Sequence, residues 1–323
     1  MKIDNIDLGD FPVAFAPMED VSDAPFRKLC KRFGADIVYT EFVASDGIIR
    51  NIDKSLDKMR FDEIERPVGI QIFGNNKEIL VQSTKIATEF NPDLIDINFG
   101  CSVKKIASKG SGSGIMKYPE KMLEFTKAVV DATYLPVTVK TRLGYDEDNK
   151  IIVEIAEKLQ DVGIKAICIH GRTRSQLFKG NADWTLIGKV KNNPRINIPV
   201  IGNGDIDSPE KAKTHFDKYG VDGIMIGRAA IGNPWIFNQV KYFIKNGDLL
   251  PSPEIKERVN ICKEHLITSV KNKGEKRTIF EMRKHYGNYF KGYHNFKNYR
   301  IKLTTSKNLD EIIEVLDSLL KIY

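Results

Sequence analysis

The chain has 323 residues, 41% of them hydrophobic, and a formal net charge of +7. That length and apolar content suit one large α/β domain with a small appendage and exclude a disordered chain. No run approaches the ~20 apolar residues of a membrane span, and the opening MKIDNIDLGDFPV lacks an apolar signal core, so a cytoplasmic protein without a membrane partner is expected.

The charge is unevenly placed. Residues 240–323 carry 17 Lys and Arg against 10 Asp and Glu, and Lys271–Lys307 alone holds 11 basic residues and 2 acidic ones. A neutral body with a basic tail suits a polyanionic partner. The plainer reading is a solvated lysine face, and charge alone does not select nucleic acid.

Short β-rich runs alternate with longer amphipathic ones. The predicted strands are Val13–Met18, Ile37–Thr40, Val68–Phe73, Leu94–Asn98, Val137–Lys140, Ala166–His170, Val200–Asn203 and Gly223–Ile226. Helical patterns between them include Ala24–Phe33, Asn76–Phe90, Pro119–Ala132, Lys150–Val162, Trp184–Asn192 and Ser208–Tyr219. Ser208-Pro209 reads as an N-cap followed by proline in the first turn. Such alternation implies parallel pairing, and eight units imply an α/β protein built on a closed (β/α)8 TIM barrel. From about Gln239 only helical runs follow: Trp235–Lys245, Pro253–Lys271, Thr278–Phe290 and Leu309–Ile322. The expected division is therefore a barrel over 1–239 and an all-helical domain over 240–323, with Leu249–Pro253 as connector.

Barrel chemistry gathers at the carboxyl ends of the strands. Those ends read Pro17-Met18, Thr40-Glu41, Gln71, Asn98 with Gly100-Cys101, Lys140 with Arg142, His170 with Arg172, Asn203-Gly204-Asp205 and Gly227-Arg228. Random strand ends would carry blander turn residues, so this ring points to an enzyme. Glycines after the seventh and eighth strands, one beside Arg228, suit a phosphate monoester at the usual barrel position. Lys140 and Gln71 would reach the ring system of a bound cofactor, and flavin mononucleotide fits such a site. Cys101 ends a strand on a glycine hinge beside Lys104 and Lys105, whereas Cys30, Cys168 and Cys262 lie in apolar patterns and read as core. The run Lys109–Gly114 lacks the GK[ST] of a phosphate loop and reads as a flexible active-site flap. In the tail, aromatics interleave with basic residues; most read as bundle core, with Arg283, Lys284, Lys291 and Arg300 facing outward.

With these motifs placed, the sequence closely resembles the tRNA-dihydrouridine synthases, most of all the bacterial B-type. The resemblance is carried by APMEDVSDAPFR, DINFGCSVKK, VKTRLG, IHGRTR, NGDIDSP, MIGRAAIGNPWIF and RKHYGNYF, and covers almost the whole chain. It implies a barrel that holds FMN, a helical tRNA-binding domain, and reduction of the C5=C6 bond of particular uridines in tRNA with NADPH (or NADH). By resemblance, Ala16, Pro17 and Met18 line the flavin through backbone, and Gln71 and Lys140 meet its ring. Asn203, Gly204, Asp205, Gly227 and Arg228 hold the ribityl phosphate end, with His170 nearby. Cys101 is the proton donor, and Asn98 faces the uracil. Arg142, Lys104, Arg283 and Lys284 are expected at the substrate. No metal is expected, and a monomer is. Lys104 or Lys105 would lower the thiol pKa from its usual ~8.5 or meet tRNA phosphate. The family's proline after the cysteine is Ser102 here and its methionine is Phe99, which suggests a looser loop. A flavin barrel acting on a small molecule, as in dihydroorotate-type dehydrogenases, would not need the basic tail. An RNA-binding protein with a decayed flavin site would not need Cys101, Lys140 and Arg228.

Overall fold

The computed structural model describes residues 1–321. Among them, eight parallel strands close a barrel: β1 (Val13–Phe15), β2 (Ile37–Tyr39), β3 (Val68–Phe73), β4 (Leu94–Asn98), β5 (Val137–Arg142), β6 (Ala166–His170), β7 (Val200–Asn203) and β8 (Gly223–Ile226). Closure comes from β8 pairing with β1 and from β2 pairing with β3. A short strand, Val43–Ala44, extends the upper edge of β3.

Period-two alternation sorts the strand residues. Val13, Phe15, Val38, Ile70, Ile95, Val139, Ile167 and Ile224 pack against the surrounding helices in the main core. Ala14, Ala16, Tyr39, Leu94, Cys168 and Met225 form a second cluster inside the barrel. An N-terminal hairpin, Lys2–Ile3 with Ile6–Asp7, adds Ile3 and Leu8 to that inner cluster and plugs the amino end. The inside is tight: a Cβ on Gly69 would lie 2.6 Å from Leu94 and 2.7 Å from Tyr39.

The barrel helices that follow the strands are α1 (Ala24–Arg32), α2 (Ser45–Ile49), α3 (Lys77–Glu89), α4 (Pro119–Asp131), α5 (Ile152–Asp161), α6 (Thr185–Lys191), α7 (Pro209–Tyr219) and α8 (Ile236–Asn246). Their starts are written locally. Asp23, Asn76 and Ser208 accept from backbone N–H groups in the first turns of α1, α3 and α7, and Pro209 opens α7.

The expected boundary at 239/240 falls inside α8. Phe237 and Val240 of that helix belong to the barrel core, and the Phe237 ring meets Phe15 of β1 edge-on at 5.9 Å. Gly247, in the left-handed conformation, ends α8.

Beyond the connector lie α9 (Ile255–Lys273), α10 (Glu275–Tyr289), α11 (Phe296–Thr305) and α12 (Leu309–Leu319). Their core contains Cys262, Leu266, Met282, Tyr286, Tyr289, Phe290, Leu303 and Leu316. Of the expected helix Leu309–Ile322, the final residue lies outside the described residues. α11 carries no helical signal in the sequence, because only Phe296 and Leu303 of its ten residues are buried. The tail docks on α1 and on the loops after β1 and β8. Arg32 grips Glu264 with two bonds of 2.8 and 2.9 Å, Lys273 pairs with Asp23, and Phe26 stacks on His265 at 4.9 Å. No helix among the described residues is long and apolar enough to cross a membrane.

Candidate active site

The carboxyl ends of the strands surround a cavity of about 870 Å³, within the ~300–1,000 Å³ of small-molecule and cofactor clefts. Ala16, Pro17, Met18, Asn98, Cys101, Lys140, Arg142, His170, Asn203, Gly204, Asp205, Gly227 and Arg228 all line it. Residues far apart in sequence thus converge because each follows a barrel strand.

One wall carries Cys101. Oδ1 of Asn98 accepts from the backbone N–H of Gly100 at 2.9 Å and of Cys101 at 2.8 Å. Arg142 donates to the Gly100 carbonyl at 2.8 Å and to the Ser102 hydroxyl at 3.3 Å, with further bonds to the Thr173 and Leu177 carbonyls. Arg142, expected at the substrate, is thus committed to bracing the cysteine loop. Ser102 is buried and tied rather than loose.

The Gly-Ser run is not a flap. Gly112–Lys117 forms a tight helical turn packed under the cysteine, and Ser113 donates to the Cys101 carbonyl from both its amide (3.0 Å) and its hydroxyl (2.7 Å). Its glycines make room. A Cβ on Gly112 would lie 2.9 Å from the Cys101 Cβ, and one on Gly114 2.1 Å from the Ala107 carbonyl oxygen.

Burial raises the Cys101 pKa above its ordinary value, opposed by the Val103 amide and by the positive charges of Arg142 and Lys140. The thiol is therefore protonated at neutral pH. Lys104 and Lys105 are exposed, on the short helix Lys104–Ala107.

Beneath this wall runs a buried polar chain. Asp96, at the centre of β4, accepts from Gln71 Nε2 at 2.6 Å and from the Thr138 hydroxyl at 2.5 Å. Gln71 Oε1 accepts from Asn98 Nδ2 at 2.8 Å. Gln71, expected against a cofactor ring, is fully buried and is not among the residues that line the cavity.

The opposite wall comes from β6, β7 and β8. Lys140 Nζ donates to Asn203 Oδ1 at 3.2 Å, and burial lowers its pKa. His170 is driven well below its ordinary pKa by burial and then by Lys140, Arg142, Arg172 and Arg228, so its ring is neutral. Its buried Nδ1 has no protein partner. Asp205, expected at the phosphate end, lines the cavity with a carboxylate already engaged by its neighbours. It receives two bonds from Arg172 (2.9 and 2.6 Å), one from the Ala182 amide (2.8 Å) and one from Arg228 (2.8 Å), so it orients Arg228. Gly204 adopts φ +123°, and a Cβ there would lie 2.7 Å from Ala182. These features suit FMN: a glycine-lined cradle with a half-exposed arginine for its phosphate, and a cationic lysine and an unpartnered imidazole nitrogen for its polar atoms.

Ser252, Arg258, Asn288 and Lys291 of the connector and tail complete the rim. Arg283 and Lys284, expected at the substrate, lie outside the lining. Arg283 packs over the Phe280 ring at 4.4 Å, and Lys284 donates to the Asp20 carbonyl at 2.9 Å. Phe178 lines the cavity, with the Arg142 and Arg228 guanidinium groups over its ring at 5.6 and 4.9 Å, while Asp96 and Ser113 support the cysteine loop without lining it; the motifs point to none of the three. For Asp96 the signal was there: a carboxylate in mid-strand, on the same face as Asn98.

The family model for dihydrouridine synthase (Dus) matches residues 14–322. The tRNA-dihydrouridine synthase B of Vibrio vulnificus is 39% identical over 300 residues, covering 93% of this chain and 92% of that protein. The Vibrio cholerae protein of the same name is 36% identical over 317 residues, covering 98% of each. Among solved structures, histamine dehydrogenase from Rhizobium sp. 4-9 aligns over 81% of this chain and 50% of that one, with a TM-score of 0.54 at 12% identity. The chain thus spans half the length of that structure, and the likeness is one of fold.

Proposed function

The chain belongs to the dihydrouridine synthase family, and from that premise we propose that it reduces the C5=C6 bond of uridines in tRNA, using bound FMN recharged by NADPH or NADH. The observation that carries this reading is the pairing, across one cavity, of a braced and protonated thiol with a glycine-lined anion cradle.

Asn203, Gly204, Gly227 and Arg228 hold the phosphate end of FMN, and Ala16, Pro17, Met18, Lys140 and His170 border its ring system. When bound and reduced by NADPH or NADH, FMN would supply the hydride for C6 of the uracil. Cys101 holds the proton that C5 needs: its raised pKa keeps the sulfur protonated until negative charge develops next to it. Arg142, Asn98 and Ser113 keep the loop from moving as that proton leaves. Arg142 and Lys140 then stabilise the thiolate left behind. The uridine leaves its stack to enter, because the thiol sits inside the cavity mouth. The barrel through α8 is the catalytic unit. The helical unit after the connector binds tRNA through its exposed basic residues, and the protein acts as a cytoplasmic monomer.

The test is incubation of the purified protein with unmodified tRNA and NADPH, followed by mass mapping. Gain of two hydrogen atoms at specific uridines, in a protein that copurifies with FMN, supports the reading. A flavin-loaded protein that leaves tRNA unchanged but reduces a small pyrimidine would replace it.

A further inference from the structure

We infer that Asp96 is a positioning residue, whose acceptor-only carboxylate sets the direction of a two-amide hydrogen-bond chain and thereby the place of the Cys101 thiol. The chain runs Asp96–Gln71–Asn98–Cys101. A side-chain amide has a donating and an accepting end, so its orientation depends on what it meets. An ionised carboxylate only accepts. Gln71 must therefore turn Nε2 toward Asp96, at 2.6 Å, which leaves Oε1 facing Asn98. Asn98 must in turn offer Nδ2, at 2.8 Å, which leaves its Oδ1 for the Gly100 and Cys101 amides. Reversing any link would set Asn98 Nδ2 against two backbone N–H groups, donor against donor.

The residues around Asp96 leave it little else to do. Thr138 donates to its other oxygen at 2.5 Å, Lys140 supplies a positive charge from β5, and Tyr39 and Cys168 face it from β2 and β6. Asp96 is 2% exposed and does not line the cavity, so it reaches neither substrate nor cofactor. Burial raises its pKa to about 6, which leaves it ionised above neutral pH, where the chain has one direction. Its catalytic consequence rests on the role given to Cys101 above; its effect on the thiol does not.

The experiment uses the full-length protein with its cofactor and reads the pH dependence of iodoacetamide alkylation at Cys101, followed by peptide mass, with kcat on tRNA measured beside it. Cys30, Cys168 and Cys262 are buried and serve as internal blanks. Asp96→Asn keeps almost the same shape but replaces an acceptor-only group with an amide that can turn either end to Gln71, so the direction of the chain is no longer fixed. It is expected to shift the alkylation profile and lower kcat at least tenfold, with KM for tRNA nearly unchanged. Asp96→Asn combined with Gln71→Glu moves the acceptor-only group one link along. The new asparagine then donates to the new carboxylate, which still accepts from Asn98, and the wild-type profile should return. An unchanged profile in Asp96→Asn overturns the inference. So does a folded double variant that fails to recover, because moving the acceptor-only group one link along keeps the chain's direction. If the double variant does not fold, the Asn98 side-chain amide protons in Asp96→Asn, observed by selective labelling, decide: a shifted pair supports reorientation and an unshifted pair overturns it. Absence of tRNA reduction by the wild type would instead defeat the functional reading and leave the alkylation test valid.

Discussion

The backbone amide of Cys101 donates to the side chain of Asn98 at 2.8 Å, so the last residue of β4 and the thiol-bearing residue beyond it form one unit. Arg142 grips that unit on the carbonyl of Gly100, and Ser113 grips it on the carbonyl of Cys101 itself. The thiol is mounted on the barrel frame, on a loop with several independent anchors.

Gly112→Ala tests that mounting. Gly112 has φ +53°, and an added Cβ would press on Cys101 at 2.9 Å. The variant is expected to lose about 1–3 kcal/mol of stability and to displace the cysteine loop. Denaturant melts and Cys101 alkylation rates measure both effects. A wild-type melt with wild-type alkylation would show that the turn is free to shift.

The site also shows what the sequence could and could not tell. Alternating β-branched runs made all eight barrel strands legible, since each buries one side against helices and one inside the barrel. Gly110–Gly114 reads as flexible because composition reports only the freedom of the isolated chain. Here Gly112 and Gly114 are required by close approach to Cys101 and Ala107. Lys104 and Lys105 adjoin the cysteine in sequence, but a helical turn carries them to the surface, while Arg142 arrives from the neighbouring strand. Such an exchange of one cation for another is a fact of barrel geometry, beyond the reach of local spacing.

His265 predicts a pH effect on the docked tail. It is buried between Phe26 of α1 and Tyr289 of α10, and burial, aided by Lys273 and opposed by Asp23, lowers its pKa to about 4. The unfolded chain therefore takes up this proton first as pH falls from about 6.5 toward 4, and folding weakens across that window. In His265→Phe this contribution disappears. The stability difference between the two proteins should move by on the order of 3 kcal/mol in favour of the variant between pH 7 and pH 4. Thermal melts across that range measure it. A pH-independent difference would contradict the neutral, buried imidazole.

The tail's outward charges predict salt-dependent RNA binding. Lys291, Lys297 and Arg300 are exposed. Reversing all three to glutamate is expected to weaken tRNA affinity and to flatten the slope of log K against log salt by roughly 0.7–0.9 for each phosphate no longer neutralised. Filter binding at several salt concentrations reads this directly. An unchanged slope would place the RNA surface elsewhere on the molecule.

The most direct measurement compares Cys101→Ala with the wild type in single-turnover dihydrouridine formation on tRNA. Loss of a positioned proton donor should slow the reaction by roughly 10²–10⁴-fold while flavin content and tRNA affinity stay at wild-type levels. Full activity in that variant would contradict the assignment of the sulfur as the source of the proton.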